Sequence, residues 1–169
     1  MQRPLILAPI ALAAVLATAC GGSSSSPSAG SSNPPSNSPS AAATAPANPA
    51  AAKAEITLAW KTFFNSGTPT AIAKSLLEDG DSLGPALRIA QQEDRASKLD
   101  RKAKVKLISF LNANTANVTW VLLNGTTPLL ANASGQSVYV DGKWKVSKTT
   151  FCTLVMLGAN GKPVPGCSP

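Results

Sequence analysis

The apolar positions between residues 53 and 67 recur with the period of an α-helix. They follow the spacing i, i+3, i+4, i+7 and i+8 and form one stripe: Ile56, Ala59, Trp60, Phe63 and Phe64. Gly67 and Pro69 come next, and both residue types commonly follow the end of a helix. We therefore predict a first helix with an aromatic face turned toward a core.

Two shorter helices are predicted to follow. Thr68 is expected to cap the second helix, with Pro69 at its first position and its end near Gly80. Its apolar residues are Ile72, Ala73, Leu76 and Leu77. Ser82 is expected to cap the third helix, which ends in the polar residues 91–95. The apolar face of this third helix comprises Leu83, Ala86, Leu87 and Ala90.

The second half of the chain alternates between apolar and polar residues, as β-strands do. Residues 103–112 alternate and then slip at Leu107–Ile108, which predicts a β-bulge. Asn124-Gly125 and Asp141-Gly142 are hairpin-turn pairs between the strands. The remaining predicted strands are 116–123, 128–140 and a last strand from Trp144 through Thr149 to about Leu157.

Helices that precede an antiparallel meander predict an α+β fold, with the first helix on the concave side of the sheet. The strand alternation assigns six residues to that inner side: Val118, Trp120, Leu122, Val138, Val140 and Val146. Tyr139 is expected on the opposite side from Val138.

The N-terminus carries an export signal. Arg3 precedes an uncharged apolar run over residues 5–19. Fifteen helical residues rise about 22 Å, which is too short for a hydrocarbon layer of about 30 Å. Residues 1–19 are therefore predicted to be a signal peptide.

Cys20 directly follows the small residues Ala17-Thr18-Ala19. This arrangement resembles a bacterial lipobox, in which the cysteine is acylated and becomes the mature N-terminus. Two acyl chains would then anchor the protein stably to a membrane. The alternative is ordinary cleavage after Ala19, which would leave Cys20 as an unmodified thiol.

Residues 21–52 contain no charge, no aromatic and no branched aliphatic side chain. Such a segment has no large apolar side chains whose burial could compensate for the entropy lost when its backbone is ordered. We predict that residues 20–52 are the lipidated cysteine and a disordered linker, with a glycosylated stalk as the alternative. Residues 53–169 are then one domain.

The domain resembles a known family in three stretches: SLLEDGDSLGPAL, NGTTPLLANASGQSV and DGKWKVSKTTFCTLV. Together with the aromatic first helix they are similar to the C-terminal domain of the low-molecular-weight secreted antigens of mycobacteria and related actinobacterial lipoproteins. The resemblance covers residues 55–157. It implies the cone-shaped fold of nuclear-transport-factor-2-like and cystatin-like proteins, and export, but no reaction.

The side chains argue against an enzyme. The chain has no histidine, which removes the histidine-based nucleophiles and metal sites. The eight carboxylates fall at helix ends, turns and polar helix faces, so no acid or base is expected in the pocket. We predict no metal and no cofactor. An isomerase-like or hydratase-like activity stays an alternative only because some proteins with the implied fold are such enzymes.

Cys152 and Cys167 are expected to form a disulfide, because the chain is exported and Cys20 is used by lipid. Their separation lacks the C-x-x-C geometry of redox pairs. The bond would hold the C-terminal tail on the last strand.

Five aromatic side chains and one valine are candidates to line a pocket: Trp60, Phe63, Phe64, Trp120, Val138 and Trp144. Residues of this kind either enclose an apolar ligand or fill a core. Residues 95–106 contain six cations and one acid, Asp100. This run forms either a solvated surface or a contact for an anionic partner.

These observations predict a non-catalytic lipoprotein on the extracellular face of the membrane, or released from it. A binding or scaffolding module for an envelope protein is one function, and a carrier or sensor of a small apolar ligand is the alternative. We expect no nucleic-acid partner, since the domain lies outside the cell.

Overall fold

The computed structural model describes residues 44–159 and 162–167. Four helices and one four-stranded antiparallel sheet, in the order β1-β2-β3-β4, make up this part of the chain, which confirms the predicted α+β fold. The elements are α1 (Pro49–Phe63), α2 (Thr70–Ser75), α3 (Gly84–Ala96), β1 (Arg101–Asn112), β2 (Thr115–Asn124), β3 (Thr127–Val140), β4 (Lys143–Val146) and α4 (Lys148–Gly158).

The predicted signal peptide, Cys20 and the linker up to residue 43 lie outside the described residues. Within the described residues, every helix is either too short or too polar to cross a membrane.

Helix α1 begins within the segment that was assigned to the linker. The Asn48 side chain accepts a hydrogen bond of 3.0 Å from the Ala51 amide, and Pro49 occupies the first turn, where its missing N–H costs nothing. Ala52 is already buried. The aromatic stripe of α1 faces the core as predicted, with Ile56, Trp60 and Phe63 all buried.

Helix α2 is shorter than predicted because the backbone of the residues that follow it forms hydrogen bonds with β4. The Val146 amide donates to the Leu76 carbonyl at 2.8 Å, and the Glu78 amide donates to the Val146 carbonyl at 2.9 Å. These bonds cover the outer edge of β4. The helix therefore ends at Ser75 and not near Gly80.

The two predicted helix caps, Thr68 and Ser82, were wrong. The Thr68 hydroxyl donates to the Thr62 carbonyl at 2.6 Å, so α2 begins after Pro69 without a side-chain cap. Helix α3 begins after Leu83, also without a side-chain cap.

The sheet contains the predicted bulge, one position earlier than expected. Val105 pairs with Trp120 and Leu107 pairs with Thr119, so Lys106 is the extra residue. Both residues of the Asp141-Gly142 turn have positive φ, which is the geometry of a type I′ hairpin turn.

The predicted last strand was wrong beyond Val146, because the chain forms α4 there. The Ser147 hydroxyl accepts a hydrogen bond of 3.1 Å from the Thr150 amide and so caps this helix. Phe151 of α4 is buried and packs edge-on against Phe63, with the ring centroids 6.0 Å apart. A helix therefore also follows the sheet, and the helices do not all precede it.

The prediction of which β3 side chains face the core was also wrong, because the inner and outer faces are reversed. Ser137 is fully buried and pairs with Val146, whereas Val138 pairs with Lys145 and is only half-buried. Tyr139 pairs with the buried Trp144. Because side chains alternate along a strand, Ser137 and Tyr139 share the inner face, and Val138 and Val140 lie on the outer one.

The side chain of Trp60 packs on the inner face of β3, at Gly135 and Ser137. Its indole Nε1 donates a hydrogen bond of 2.6 Å to the Ser137 hydroxyl, and both groups are buried. A Cβ at Gly135 would lie 2.7 Å from Trp60 Cη2, so glycine leaves the space that the ring occupies. Helix α1 is thereby fixed on β3 by one polar and one steric contact.

Cys152 and Cys167 are joined by a disulfide. It ties the C-terminal segment to α4, and not to a strand as expected. Closing a loop of this length contributes about 3 kcal/mol to stability in the chain-entropy description.

The Trp60–Ser137 hydrogen bond gives a stability prediction. Ser137→Ala leaves the buried indole N–H without an acceptor, and we expect it to lower the free energy of unfolding by about 1–3 kcal/mol. Urea denaturation measures this change. Ser134→Ala is the matched control, because Ser134 lies on the same strand but is exposed. Equal effects of the two substitutions would contradict the assigned role of Ser137.

Candidate functional site

A cavity of about 170 Å³ lies where α3, α4 and the end of α1 meet β2. Its wall is mainly apolar and includes Phe63, Phe64, Leu87, Leu122, Phe151 and Val155. Val164, in the segment held by the disulfide, adds to the wall. The cavity is therefore lined by elements from both ends of the domain, and it is partly open to solvent beside exposed residues such as Ile89.

Two of the six candidate pocket residues, Phe63 and Phe64, line this cavity. Trp60 and Trp120 are fully buried beside it and fill the centre of the core, with ring centroids 5.1 Å apart. The Phe64 ring stacks on Trp120 at 4.3 Å.

The other two candidates lie elsewhere. Trp144 packs against Phe110 and Tyr139, with centroid distances of 5.8 and 5.5 Å. Val138 is on the outer side of the sheet, for the reason of register given above. The cavity therefore lies beside the pair Trp60 and Trp120, and neither tryptophan lines it.

The prediction that the pocket contains no titratable group was wrong. Asp94 of α3 is only 5% exposed and lines the cavity. Its carboxylate forms an ion pair with the Arg101 guanidinium, which also contributes to the wall. The sequence carried a signal for this placement, since Leu87 and Asp94 are seven residues apart and share one face of α3.

The electrostatics of Asp94 are set by two opposing effects. Burial raises the pKa of Asp94 above its ordinary value of 3.8, and the charge of Arg101 and its hydrogen bond oppose that rise. A buried carboxylate that is paired in this way is held in place by its partner. It gives the cavity one polar wall that carries no net charge.

Gln91 is the other polar residue of the wall that is buried. Its side-chain amide donates to the Thr68 carbonyl at 3.1 Å, and its carbonyl oxygen accepts from the Thr70 hydroxyl. These bonds link α3 to the start of α2. The role of Gln91 is therefore structural, because its side chain connects α3 to α2.

Two further carboxylates bind backbone groups far along the chain. Glu55 accepts a hydrogen bond of 3.0 Å from the Trp144 amide, and Glu78 accepts one of 2.8 Å from the Lys148 amide at the start of α4. Negative charge is favourable at a helix N-terminus. In residues 44–159 and 162–167, no three His, Cys, Asp or Glu side chains cluster as a metal site would need.

The basic run at 95–106 enters the free edge strand of the sheet. Arg101 turns inward to Asp94, while Lys102, Lys104 and Lys106 are exposed along β1. The run therefore divides into one structural arginine, Arg101, and five exposed cations, of which three lysines lie on β1.

The raised pKa of Asp94 predicts a dependence of stability on pH. The folded protein binds this proton at higher pH than the unfolded chain, so the stabilisation from Asp94 is present below pH 3.8 and is lost as pH rises through the folded-state pKa. We expect the stability of the native protein to fall, relative to Asp94→Asn, across that range. Urea denaturation at a series of pH values measures this, with the Asp94 carboxyl titrated by carbon-13 NMR.

Asp141→Asn controls for the loss of one charge, because the Asp141 side chain is 75% exposed. An NMR midpoint for Asp94 at or below 3.8 would contradict the assigned effect of burial.

Comparison with known proteins gives one family. Residues 49–162 match the family described as low molecular weight antigen MTB12, C-terminal domain. The match begins at the first residue of α1 and extends beyond α4, so it includes every element of the fold. A search of the curated proteins returned no match to this chain.

An antigen family of this description indicates a secreted or cell-envelope protein, and the description names no catalytic activity. Since the match covers well over half of the sequence, the chain belongs to the family of the low molecular weight antigen MTB12 C-terminal domain.

Proposed function

We propose that this protein is a lipid-anchored binding module of the cell envelope that holds a small apolar molecule between α3 and α4. The observation that carries the proposal is the cavity of about 170 Å³ with its mainly apolar wall. A protein cavity of about 150 Å³ lined by Leu, Ile and Phe stays dry and binds benzene. The ligand is therefore a molecule of benzene size or slightly larger.

The volume also limits the ligand. Pockets that enclose drug-sized ligands measure about 300–1,000 Å³. The cavity here is smaller than that range, so a long acyl chain or a sterol does not fit within it. The Asp94–Arg101 pair forms a polar patch that can orient one polar group of the ligand.

The membrane anchor is supported by the sequence alone. Residues 1–19 have the form of a signal peptide, and Cys20 follows at the position that a lipobox cysteine occupies. The uncharged segment of residues 21–43 then separates the lipid from the described domain. The anchored module would sample ligands at the outer face of the membrane.

One observation favours a rival function, which is proton transfer by Asp94 as in the isomerase-like enzymes. Asp94 is buried, has a raised pKa and lines a cavity, and these are properties of catalytic carboxylates. Binding without chemistry is preferred because Arg101 already engages the carboxylate. A general base needs its oxygen within hydrogen-bond reach of the substrate proton.

The binding proposal is tested with toluene as the probe. The core of the described residues lies between Ala52 and Cys167, so a chain that starts at Gly21 keeps all of these core residues. Ala90→Leu places three more carbons in the cavity, and these occupy space that toluene would fill. Each CH₂ of the ligand that is no longer buried costs about 0.8 kcal/mol, so we expect toluene affinity to fall by about tenfold or more. Saturation-transfer NMR and calorimetry measure the affinity.

Ala96→Leu is the matched control, because Ala96 lies on the same helix but is exposed. Toluene that fails to bind the native chain, or binds both variants equally, would overturn the proposal. Mass spectrometry of small molecules extracted with the native protein then addresses the rival. A molecule that the native protein converts and Asp94→Asn does not would establish proton transfer instead.

The anchor is tested separately in the full chain in an actinobacterial host. We expect Cys20→Ala to move the protein from the membrane fraction to the medium, because it removes the acylated thiol. Immunoblots of both fractions and incorporation of labelled palmitate measure this. Ser23→Ala, which keeps the cysteine, should remain in the membrane fraction. A Cys20→Ala protein that is still membrane-bound would show that the lipobox assignment is wrong.

A further inference from the structure

Along β1 and β2, one face of the sheet carries side chains that are exposed or half-buried. The inward residues of β1 and β2, among them Ala103, Ile108 and Trp120, are buried under the helices. Their neighbours in the strands point the opposite way. We use the name outer face for the following residues of β1 and β2: Lys102, Lys104, Lys106, Leu107, Ser109, Leu111, Asn117, Thr119, Val121 and Leu123.

The bulge in β1 determines which apolar residues lie on the outer face. Because Lys106 is an extra residue, Ile108 and Phe110 pair with the inward Val118 and Ala116. Leu107, which pairs with Thr119, is thereby directed outward and is 60% exposed. Leu111 is the extra residue at a second register shift, between Phe110 and Asn112, and is 51% exposed. Two large aliphatic side chains on one strand are therefore presented to solvent.

Lysines surround these leucines. Lys102, Lys104 and Lys106 are all exposed on the same strand. Lys102 forms an ion pair of 2.9 Å with Asp100, whereas Lys104 and Lys106 form none with the described residues. The row therefore keeps positive charge that is not neutralised within the domain.

We propose that the outer face binds an anionic lipid bilayer, with Leu107 and Leu111 entering the boundary between headgroups and acyl chains and the three lysines contacting the headgroups. Surfaces that lie on membranes combine apolar side chains such as leucine, which enter the lipid, with lysines, which contact anionic headgroups. Lysines on a free edge strand also discourage pairing with another sheet, but exposed leucines do not serve that purpose. An anionic polymer would account for the lysines and leave the leucines unexplained.

This inference does not depend on the cavity or its ligand. A lipid on Cys20 would strengthen the contact, since a tether converts a weak second contact into an intramolecular one. The uncharged segment of residues 21–43 lies between Cys20 and the described domain, so the lipid and this face belong to one chain. The face itself is testable without the lipid.

The test uses the unlipidated chain from Gly21 in sedimentation with vesicles. One set contains equal parts phosphatidylglycerol and phosphatidylcholine, and the other contains phosphatidylcholine alone. We expect binding to the anionic set only, and a decrease when salt rises from about 0.1 M to about 1 M, since the screening length falls from about 10 Å to about 3 Å. Equal binding to both sets, or to neither, would overturn the proposal.

Matched variants separate this face from the rest of the surface. Each lysine near an anionic membrane contributes about a fivefold gain in binding, so Lys104→Gln with Lys106→Gln should weaken it about 25-fold. Leu107→Ser with Leu111→Ser should also weaken it. The controls are Lys61→Gln and Leu58→Ser on α1, where Leu58 is 66% exposed on the opposite side of the domain.

The lysine variants carry the test alone if the leucine variant does not fold, because exposed lysines contribute little to stability. Controls that lose binding as much as the outer-face variants would overturn the proposal. Loss of vesicle binding with the lysine variant but none with a folded leucine variant would overturn the proposed entry of Leu107 and Leu111 into the bilayer.

Discussion

The packing of the domain depends on the space that Gly135 leaves on the inner face of β3. A Cβ at this position would lie 2.7 Å from both Trp60 Cη2 and Thr150 Cγ2, so one missing methyl group admits α1 and α4 together. Two residues along the same strand, Ser137 accepts the indole hydrogen bond. The Gln136 amide between them donates to the Thr150 hydroxyl at 2.8 Å. Three consecutive residues of β3 therefore position the first and last helices of the domain.

The location of the cavity follows from this arrangement. Trp60, Phe64 and Trp120 fill the middle of the core, with Phe64 stacked on Trp120 and Trp60 edge-on to it. The remaining space lies toward α3, where the side chains at the inner positions become polar, at Gln91 and Asp94. A buried carboxylate needs a partner, and Arg101 at the start of β1 supplies it. The polar patch of the cavity is thus a result of how α3 ends against the sheet.

Residue periodicity was sufficient to predict the aromatic face of α1, the Asp141-Gly142 turn and the α+β class, because each of these depends on local spacing or turn chemistry. The other predicted turn is shifted by one residue, since Asn124 pairs with Thr127 and the turn is Gly125-Thr126. It failed where a longer-range contact decides the outcome. Residues 149–157 favour a strand by composition, but Ser147 caps a helix and Phe151 packs on Phe63. The inner face of β3 was inverted because register with β4, and not hydrophobicity, selects Ser137 over Val138. Asp94 was missed because its burial depends on the ion pair with Arg101 of β1, a contact that the spacing along α3 does not show.

The bulge at Lys106 has a structural reason, and this reason does not account for the leucines beside it. Without the extra residue, regular alternation would turn Leu107, Ser109 and Leu111 inward, and it would bury a hydroxyl in an apolar core. The bulge removes Ser109 from the core and brings Phe110 to within 5.8 Å of the Trp144 ring. It therefore explains why Leu107 faces outward, while Leu111 is exposed at the second register shift, between Phe110 and Asn112. It sets no requirement for the side chains there, and polar residues would fit both positions without loss to the core. The presence of leucine at both is a property of the surface and not of the fold.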